Sequence, residues 1–541
     1  MAEKLSREHN EAVNRPRRIA VNFDVTFAIN TLFESYPDVS SLVEHLFGFA
    51  DAEGSQIDSI WWNWGEGNQA PYASDFLPLY EHALYRGWVE QGVDIVGLVL
   101  EATRRRGLEV FFTHRMNGSD NDLGPFARIA MKVEHPEWTF HTSWCTHRDN
   151  GYWNFSLAEV HEHVLQSLRE VAERWAFDGM ELDFGRSGAF FPAGQGWINR
   201  ECMSDFVRQV RRMLLEIGRR RGRPFLLAAR VPENLVGCHF DGLDVETWMR
   251  EDLVDLLVLG VRSFDADLGA FRRIAGDKAI KLYPCIDDHH ASDGYQNPGI
   301  EVLRGVAANW WRQGADGMYT FNFNHTEDAP YAGQDWQSHL LAYREIGELE
   351  TLREKDKTFV VQRRGGGHGP TVIPNAEDWS TPRHMYSNSN MLGSLPAPLA
   401  NGGGVDTLLQ IYIADDLVSA AERLDSIALY VLLSDPAAEV LSEEQRLPPV
   451  LVATIGHARP GLMNVPAARG VEEQLRVRIN NILLDRAVVE EGWLVFDVEP
   501  AALAVGENLV GISVEGCGLD GPEMSIEKVE LRLQYRQYRQ L

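Results

Sequence analysis

Leu256-Leu257-Val258-Leu259-Gly260-Val261 is apolar at every position. A strand with one wet face alternates apolar and polar residues, whereas a strand covered on both faces has no reason to. This run, continued to Arg262, therefore reads as one member of a parallel sheet with helices on each side. Seven other short β-rich runs accompany it: Ile19–Val25, Ile57–Trp64, Leu108–Asn117, Gly179–Gly185, Phe225–Val231, Ile280–Cys285 and Met318–Phe323. Helical stretches separate them. Eight strands alternating with helices predict an α/β fold, a closed (β/α)8 TIM barrel over residues 18–350, preceded by an N-terminal extension, 1–17.

The helical stretches agree. Leu157, Val160, Val164, Leu168, Val171 and Trp175 recur at three- and four-residue steps, one apolar stripe for the sheet. Ser156-Leu157-Ala158-Glu159 before them fits a capping box. The segment 201–221 ends in Arg219-Arg220-Arg221, cations suited to a helix C-terminus. The loop after the third strand, about 118–153, is long and holds Trp138, His141, Trp144 and Trp153, as pocket-shaping inserts do.

Past residue 350 the pattern changes. The segment 351–404 reads as a connection, with Gly365-Gly366-Gly367-His368-Gly369-Pro370 at its centre. From 405 to 541 strands follow without helices: Leu408–Ile413, Ile427–Leu433, Val450–Ile455, Leu475–Leu484, Leu494–Val498, Leu509–Val514 and Val529–Leu533. In Leu475-Arg476-Val477-Arg478-Ile479 apolar and basic residues alternate strictly. An antiparallel β-sandwich is expected there.

Of the 541 residues, 51 are basic and 79 acidic, a net charge of −28. Such a surface repels phosphate backbones and anionic lipids, so neither nucleic acid nor membrane is an expected partner. The polar N-terminus lacks the apolar core of a secretory signal, which points to a soluble cytoplasmic protein. The five cysteines, Cys145, Cys202, Cys238, Cys285 and Cys517, show no Cys-x-x-Cys spacing, so neither a disulfide framework nor a zinc ribbon is expected.

Barrel enzymes place their chemistry at the C-terminal ends of the strands. The fourth strand, Asp178-Gly179-Met180-Glu181-Leu182-Asp183-Phe184-Gly185-Arg186, carries two carboxylates two residues apart and thus on one face. Neighbouring buried acids push one pKa up, as a general acid needs, and Arg186 is placed to keep one ionised. Arg230 and Glu233 stand near the end of the fifth strand, Arg262 at the end of the sixth, Asp287 after the seventh, and Asn322 and Asn324 around the end of the eighth. Asp24, Trp62-Asn63-Trp64 and His114 end the first three. Amides, imidazoles and aromatic rings together suit a hydroxyl-rich ligand. His114, His141, His289, His290 and His325 with Asp287 are the alternative, a metal cluster, but the first strand lacks the His-x-His with which metal-dependent barrel hydrolases open. No metal and no organic cofactor are expected: Gly-x-Gly-x-x-Gly, which a dinucleotide would want, is missing after the first strand, and a Ser-His-Asp nucleophile is not indicated either, since no Gly-x-Ser-x-Gly follows a strand.

Several motifs in this order resemble the glycosyl-hydrolase-like barrel proteins often labelled family-ten-like. They are Arg115-Met116-Asn117, His135-Pro136-Glu137-Trp138, Trp153-Asn154-Phe155, Asp178 through Phe184, Arg230-Val231-Pro232, and Gly242 through Trp248 leading to Leu253-Val254-Asp255. The resemblance implies a sugar-cleaving barrel with Asp183 and Glu181 as catalytic acids and Arg115, Asn117, Asn154 and Arg230 lining the pocket. Gly118 departs from the acid that usually follows Arg-Met-Asn; Asp120 comes later. Val477–Asn481 and Val505–Val510 resemble galactose-binding-type sandwiches.

The expectation is a glycoside hydrolase acting on an oligosaccharide or glycoside through two carboxylates, Asp183 with Glu181, Glu233 or Asp287. A saccharide-binding barrel without catalysis and a metal-dependent hydrolase or isomerase are the alternatives. The expected partner is a carbohydrate, with a homo-oligomer left open.

Overall fold

The computed structural model describes residues 5–118, 129–141, 151–186, 189–260, 262–287, 293, 295, 297–321, 323, 336–364, 393–399, 405–434, 471–515 and 524–536. These residues divide into two compact units.

In the first unit, eight parallel strands close into a barrel: β1 (Ile19–Asp24), β2 (Ile57–Asn63), β3 (Glu109–Arg115), β4 (Gly179–Asp183), β5 (Leu226–Val231), β6 (Leu256–Leu259), β7 (Lys281–Asp287) and β8 (Met318–Phe321). Each strand pairs with its sequence neighbours, and β8 closes the ring on β1 with Ile19 opposite Met318. All eight expected strands are present. β7 runs on to Asp287, which puts that carboxylate on the strand itself, and β6 stops at Leu259, so Arg262 lies beyond it.

Helices such as Ile95–Arg105, Ala158–Arg174 and Arg200–Arg221 separate the strands. Arg200–Arg221 ends, as its basic last turn predicts, at Gly222, whose φ of 69° satisfies a left-handed cap. The expected capping box at Ser156 does not form. The Asn154 side-chain oxygen accepts from the Ser156 backbone N–H at 3.1 Å and from its hydroxyl at 2.8 Å. That turn holds Ser156 ahead of the helix, and Leu157 stands at the N-cap without a side-chain bond.

The barrel interior is layered. At its N-terminal end Arg17 donates to both Glu109 oxygens, at 2.5 and 2.7 Å. Above that plug Trp61 and Phe111 stack with centroids 4.4 Å apart, amid Ala20, Leu226, Leu256 and Tyr283. The helix Arg7–Val13 is held to the same end: His9 bonds Asp255 at 2.9 Å, and Arg211 grips both Asp255 oxygens at 2.7 Å. The N-terminal extension thus carries a helix seated on the barrel floor.

The second unit is an antiparallel β-sandwich of two sheets. One sheet joins Lys357–Val360, Ser525–Tyr535, Leu424–Ser434, Trp493–Asp497 and Val488–Glu490 in that order, with Ala397–Pro398 also on Ser525–Tyr535. The other runs Thr407–Ile413, Gly506–Val514, Leu475–Ile479, Ile482–Leu483. Leu475, Val477 and Ile479 are buried while Arg476 and Arg478 are half exposed, the wet face their alternation predicts. Lys357–Val360 shows that the sheet starts before residue 405, and the helix Ile300–Arg312 groups with this unit. The expected strand Val450–Ile455 and the glycine-rich segment 365–370 lie outside the described residues.

Candidate active site at the C-terminal end of the barrel

Gly179 fixes which face of β4 is inside. A Cβ there would run into the Phe111 ring, within the barrel core. Glu181 and Asp183 share that face, each a pleat nearer the C-terminal end, and both are buried.

Glu181 sits among neutral groups. Thr113 Oγ1 donates to Oε2 at 2.8 Å, the Tyr319 hydroxyl reaches both carboxylate oxygens at 2.9 Å, and the Asn22 amide lies 3.4 Å from Oε2. Burial, then the nearby charge of Asp183, pushes its pKa well above the ordinary glutamate range, with Arg230 opposing. Glu181 keeps its proton where an ordinary glutamate has lost it.

Asp183 differs. Its Oδ1 accepts from the Gly185 and Arg186 backbone N–H groups at 2.9 and 3.2 Å, and Arg230 Nε stands 3.5 Å away. Oδ2 is buried without a hydrogen-bond partner among the described residues. Arg230, opposite Asp183 in the β4–β5 register, lies over the Phe321 ring at 3.8 Å. None of its three guanidinium nitrogens has a hydrogen-bond partner among the described residues. Each unmatched buried polar group costs about 1–3 kcal/mol, so an acceptor and a guanidinium fork left open together mark a place where a polar ligand regains that energy.

A ring of ion pairs surrounds them. Arg115 on β3 donates to Asp24 at 2.9 Å and also pairs with Glu66, which Arg186 holds from the other side at 3.1 Å. Burial pushes Glu66 up, but the two guanidinium groups outweigh it and hold the carboxyl well below the usual range. Across the ring Arg262 Nε meets Asp287 Oδ2 at 3.2 Å, both side chains buried. Arg262 takes φ 58°, a left-handed conformation rare outside glycine and concentrated at functional sites. Glu233, just past β5, is buried and accepts from the Asn234 amide at 3.3 Å. Asn63 on β2 is buried too; its Oδ1 accepts from Gly65, and its Nδ2 has no partner among the described residues.

The structure therefore brings Asp24, Asn63, Arg115, Glu181, Asp183, Arg186, Arg230, Arg262 and Asp287 to this end of the barrel. The two-residue alternation that turns Asn63 and Arg115 inward sends Trp62, Trp64 and His114 outward, correcting their expected place in the pocket. Trp62 packs on Phe23 and Phe47 and donates to Thr103 at 3.0 Å on the helix Ile95–Arg105. Trp64 and His114 line a small cavity with Ser167 and Val171 of the helix Ala158–Arg174. Burial there lowers the His114 pKa to about 4. Asn117 and Asn154 are also corrections: Asn117 straps Trp153 and Ala189 together, and Asn154 makes the turn at Ser156. Asn322, Asn324, His289, His290 and His325 lie outside the described residues. Among the described residues no three His, Cys, Asp or Glu side chains group as a metal site would.

Sequence reasoning missed Glu66, Asn22, Tyr319 and Phe321. Counting pleats inward along β1 and β8 finds the last three. Glu66 stands in a loop, Gly65-Glu66-Gly67, where no periodicity points to it.

No known protein family matches the sequence, and no curated protein matches it. Solved structures do. The PgaB (BpsB) glycoside hydrolase domain from Bordetella bronchiseptica is 13% identical, with 62% of this chain and 99% of that one covered and a TM-score of 0.40. A GH36 alpha-galactosidase, AgaB, from Geobacillus stearothermophilus is 11% identical over 99% of this chain and 56% of that one, TM-score 0.36. A family 18 N-acetylglucosaminidase from Paenibacillus barengoltzii is 10% identical over 60% and 99%, TM-score 0.34. The chain spans just over half of the galactosidase's length.

Proposed function

We propose that the protein hydrolyses a glycosidic bond in an oligosaccharide or glycoside, with Asp183 as the carboxylate that attacks the sugar or activates water. Asp183 Oδ2 and the neighbouring Arg230 guanidinium, neither with a hydrogen-bond partner among the described residues, carry this reading. Like charges one pleat apart do not both ionise easily; burial and the neighbouring Asp183 push the Glu181 carboxyl up, and the Arg230 guanidinium stands 3.5 Å from Asp183 as its counter-charge. The resemblance to family-ten-like barrels points to the same strand-four acid.

Glycoside cleavage needs a second carboxyl to protonate the leaving oxygen. Both Glu181 oxygens are engaged by donors within the barrel, which suits a positioning residue better than a reacting one. Asp287 is held by the Arg262 cation and suits charge stabilisation. Glu233, buried just past the end of β5, the strand that pairs with β4, is the proton donor in this scheme.

The test is hydrolysis of a panel of 4-nitrophenyl and alkyl glycosides, with and without a chelator. Asp183→Asn is expected to lower kcat/KM about 1,000-fold on every substrate cleaved. Glu233→Gln is expected to suppress alkyl glycosides by a similar factor and to spare 4-nitrophenyl ones, whose leaving group needs no proton. Full activity in Asp183→Asn removes the assignment. Saccharide binding without cleavage in the wild type favours the non-catalytic barrel, and loss of activity in chelator favours a metal-dependent one.

A further inference from the structure

The loops that follow β4 and β5 enclose a second cavity of about 180 Å³. Phe190, Phe191 and Trp197 wall it from the first connection, and from the second His239 and Phe240, the last residues of the helix Leu235–Phe240, with Asp241 after them. Two glycines let the loops meet. A Cβ on Gly196 would stand 2.5 Å from the Phe240 carbonyl oxygen, and one on Gly242, at φ +76°, would stand 2.5 Å from the Gly196 carbonyl oxygen. The cavity is also braced to the strand ends. Phe184, the residue after Asp183, packs edge-on against Phe190 at 5.2 Å, and the Asn117 amide holds the Ala189 carbonyl.

The lining has two characters. Phe190 and Phe191 make it apolar inside. Trp197 is 40% exposed, and the His239 side chain, its ring 4.1 Å from the Trp197 ring, is 39% exposed. His239 Nε2 bonds Glu246 at 2.6 Å, which sets the imidazole orientation. A purely apolar ligand would strip water from the part-exposed His239 without replacing it, and an anion would meet the Asp241 carboxylate in the wall and the Glu246 carboxylate behind His239. A neutral pyranose satisfies both characters, its C–H face on the rings and its hydroxyls toward the imidazole and carboxylate.

We propose that this cavity is a subsite for a neutral sugar unit of the substrate, remote from the bond cleaved, so that the substrate has at least two sugars. This rests on the reading of Asp183 as the reacting group. The probe set is maltose, cellobiose, lactose and N,N′-diacetylchitobiose with their monosaccharides, titrated calorimetrically into Asp183→Asn protein with and without Trp197→Ala. Thermal melting establishes that Trp197→Ala folds. At least one disaccharide is expected to bind, tenfold or more weakly once Trp197 is replaced, with monosaccharide affinity unchanged and Trp197→Phe restoring most of the loss. Equal disaccharide affinity in both proteins, or no binding by any member of the set, overturns the subsite. Trp197-dependent binding by a wild type that cleaves nothing sinks the catalytic reading and leaves the subsite standing. Cleavage indifferent to Trp197 does the reverse.

Discussion

Thr113, Tyr319 and Asn22 surround Glu181, all neutral, whereas two backbone N–H groups and a guanidinium face Asp183 one pleat away. The difference sets a pH signature. A carboxyl whose folded pKa is raised binds its proton in the native state after the unfolded chain has released it. Stability therefore falls as pH rises from about 4.3, the unfolded value, toward the raised one, by about 1.4 kcal/mol per pH unit while the native proton is kept. Glu181→Gln removes that slope. Urea titrations at pH 4.5 and 6.5 should show the variant gaining on the wild type by roughly 2–3 kcal/mol between them; parallel curves would mean that Glu181 is ionised in the native state. The sequence showed two acids on one face and nothing that told them apart, because the discriminating side chains come from β1, β3, β5 and β8.

At the scale of elements the decisive feature is the two-residue alternation of strands. It is legible in β4, where the acids interrupt an apolar run, whereas Trp62, Trp64 and His114 suit a site by residue type while their parity sends them outward. Ser156 failed for another reason: its N–H and hydroxyl both donate to Asn154, and the helix takes Leu157 as its N-cap, one residue later than the box requires. The same packing makes a prediction. Gly179 begins β4 against the Phe111 ring, itself pinned by Trp61, so Gly179→Ala overfills a layer that has no room to relax. Chemical denaturation should show a loss of about 1–3 kcal/mol; an unchanged midpoint would mean the layer is looser than its geometry states.

For the whole molecule, the barrel was readable because eight strands separated by helices admit few other closures, and the sandwich because its strands follow one another without helices. The seating of the N-terminal helix was not readable. It depends on His9, Arg211 and Asp255, which stand far apart in sequence and meet only when the barrel closes. Burial raises the Asp255 pKa, but Arg211 and His9 prevail and hold it well below the usual range. A depressed carboxyl gives stability that is present above the unfolded pKa, about 3.9, and lost as pH falls below it. Asp255→Asn leaves the buried Arg211 uncompensated and should cost about 3–5 kcal/mol at pH 7, read by denaturant titration. A loss near zero would mean that water or another acid reaches Arg211.

The central claim is that Asp183 and Arg230 are the groups left open for a sugar. A crystal structure of Asp183→Asn protein with a bound oligosaccharide tests it most directly. The account predicts an anomeric carbon within about 3.5 Å of the residue-183 side chain and Arg230 donating to the same sugar. A saccharide bound elsewhere on the barrel, with both groups still unmatched, would contradict it.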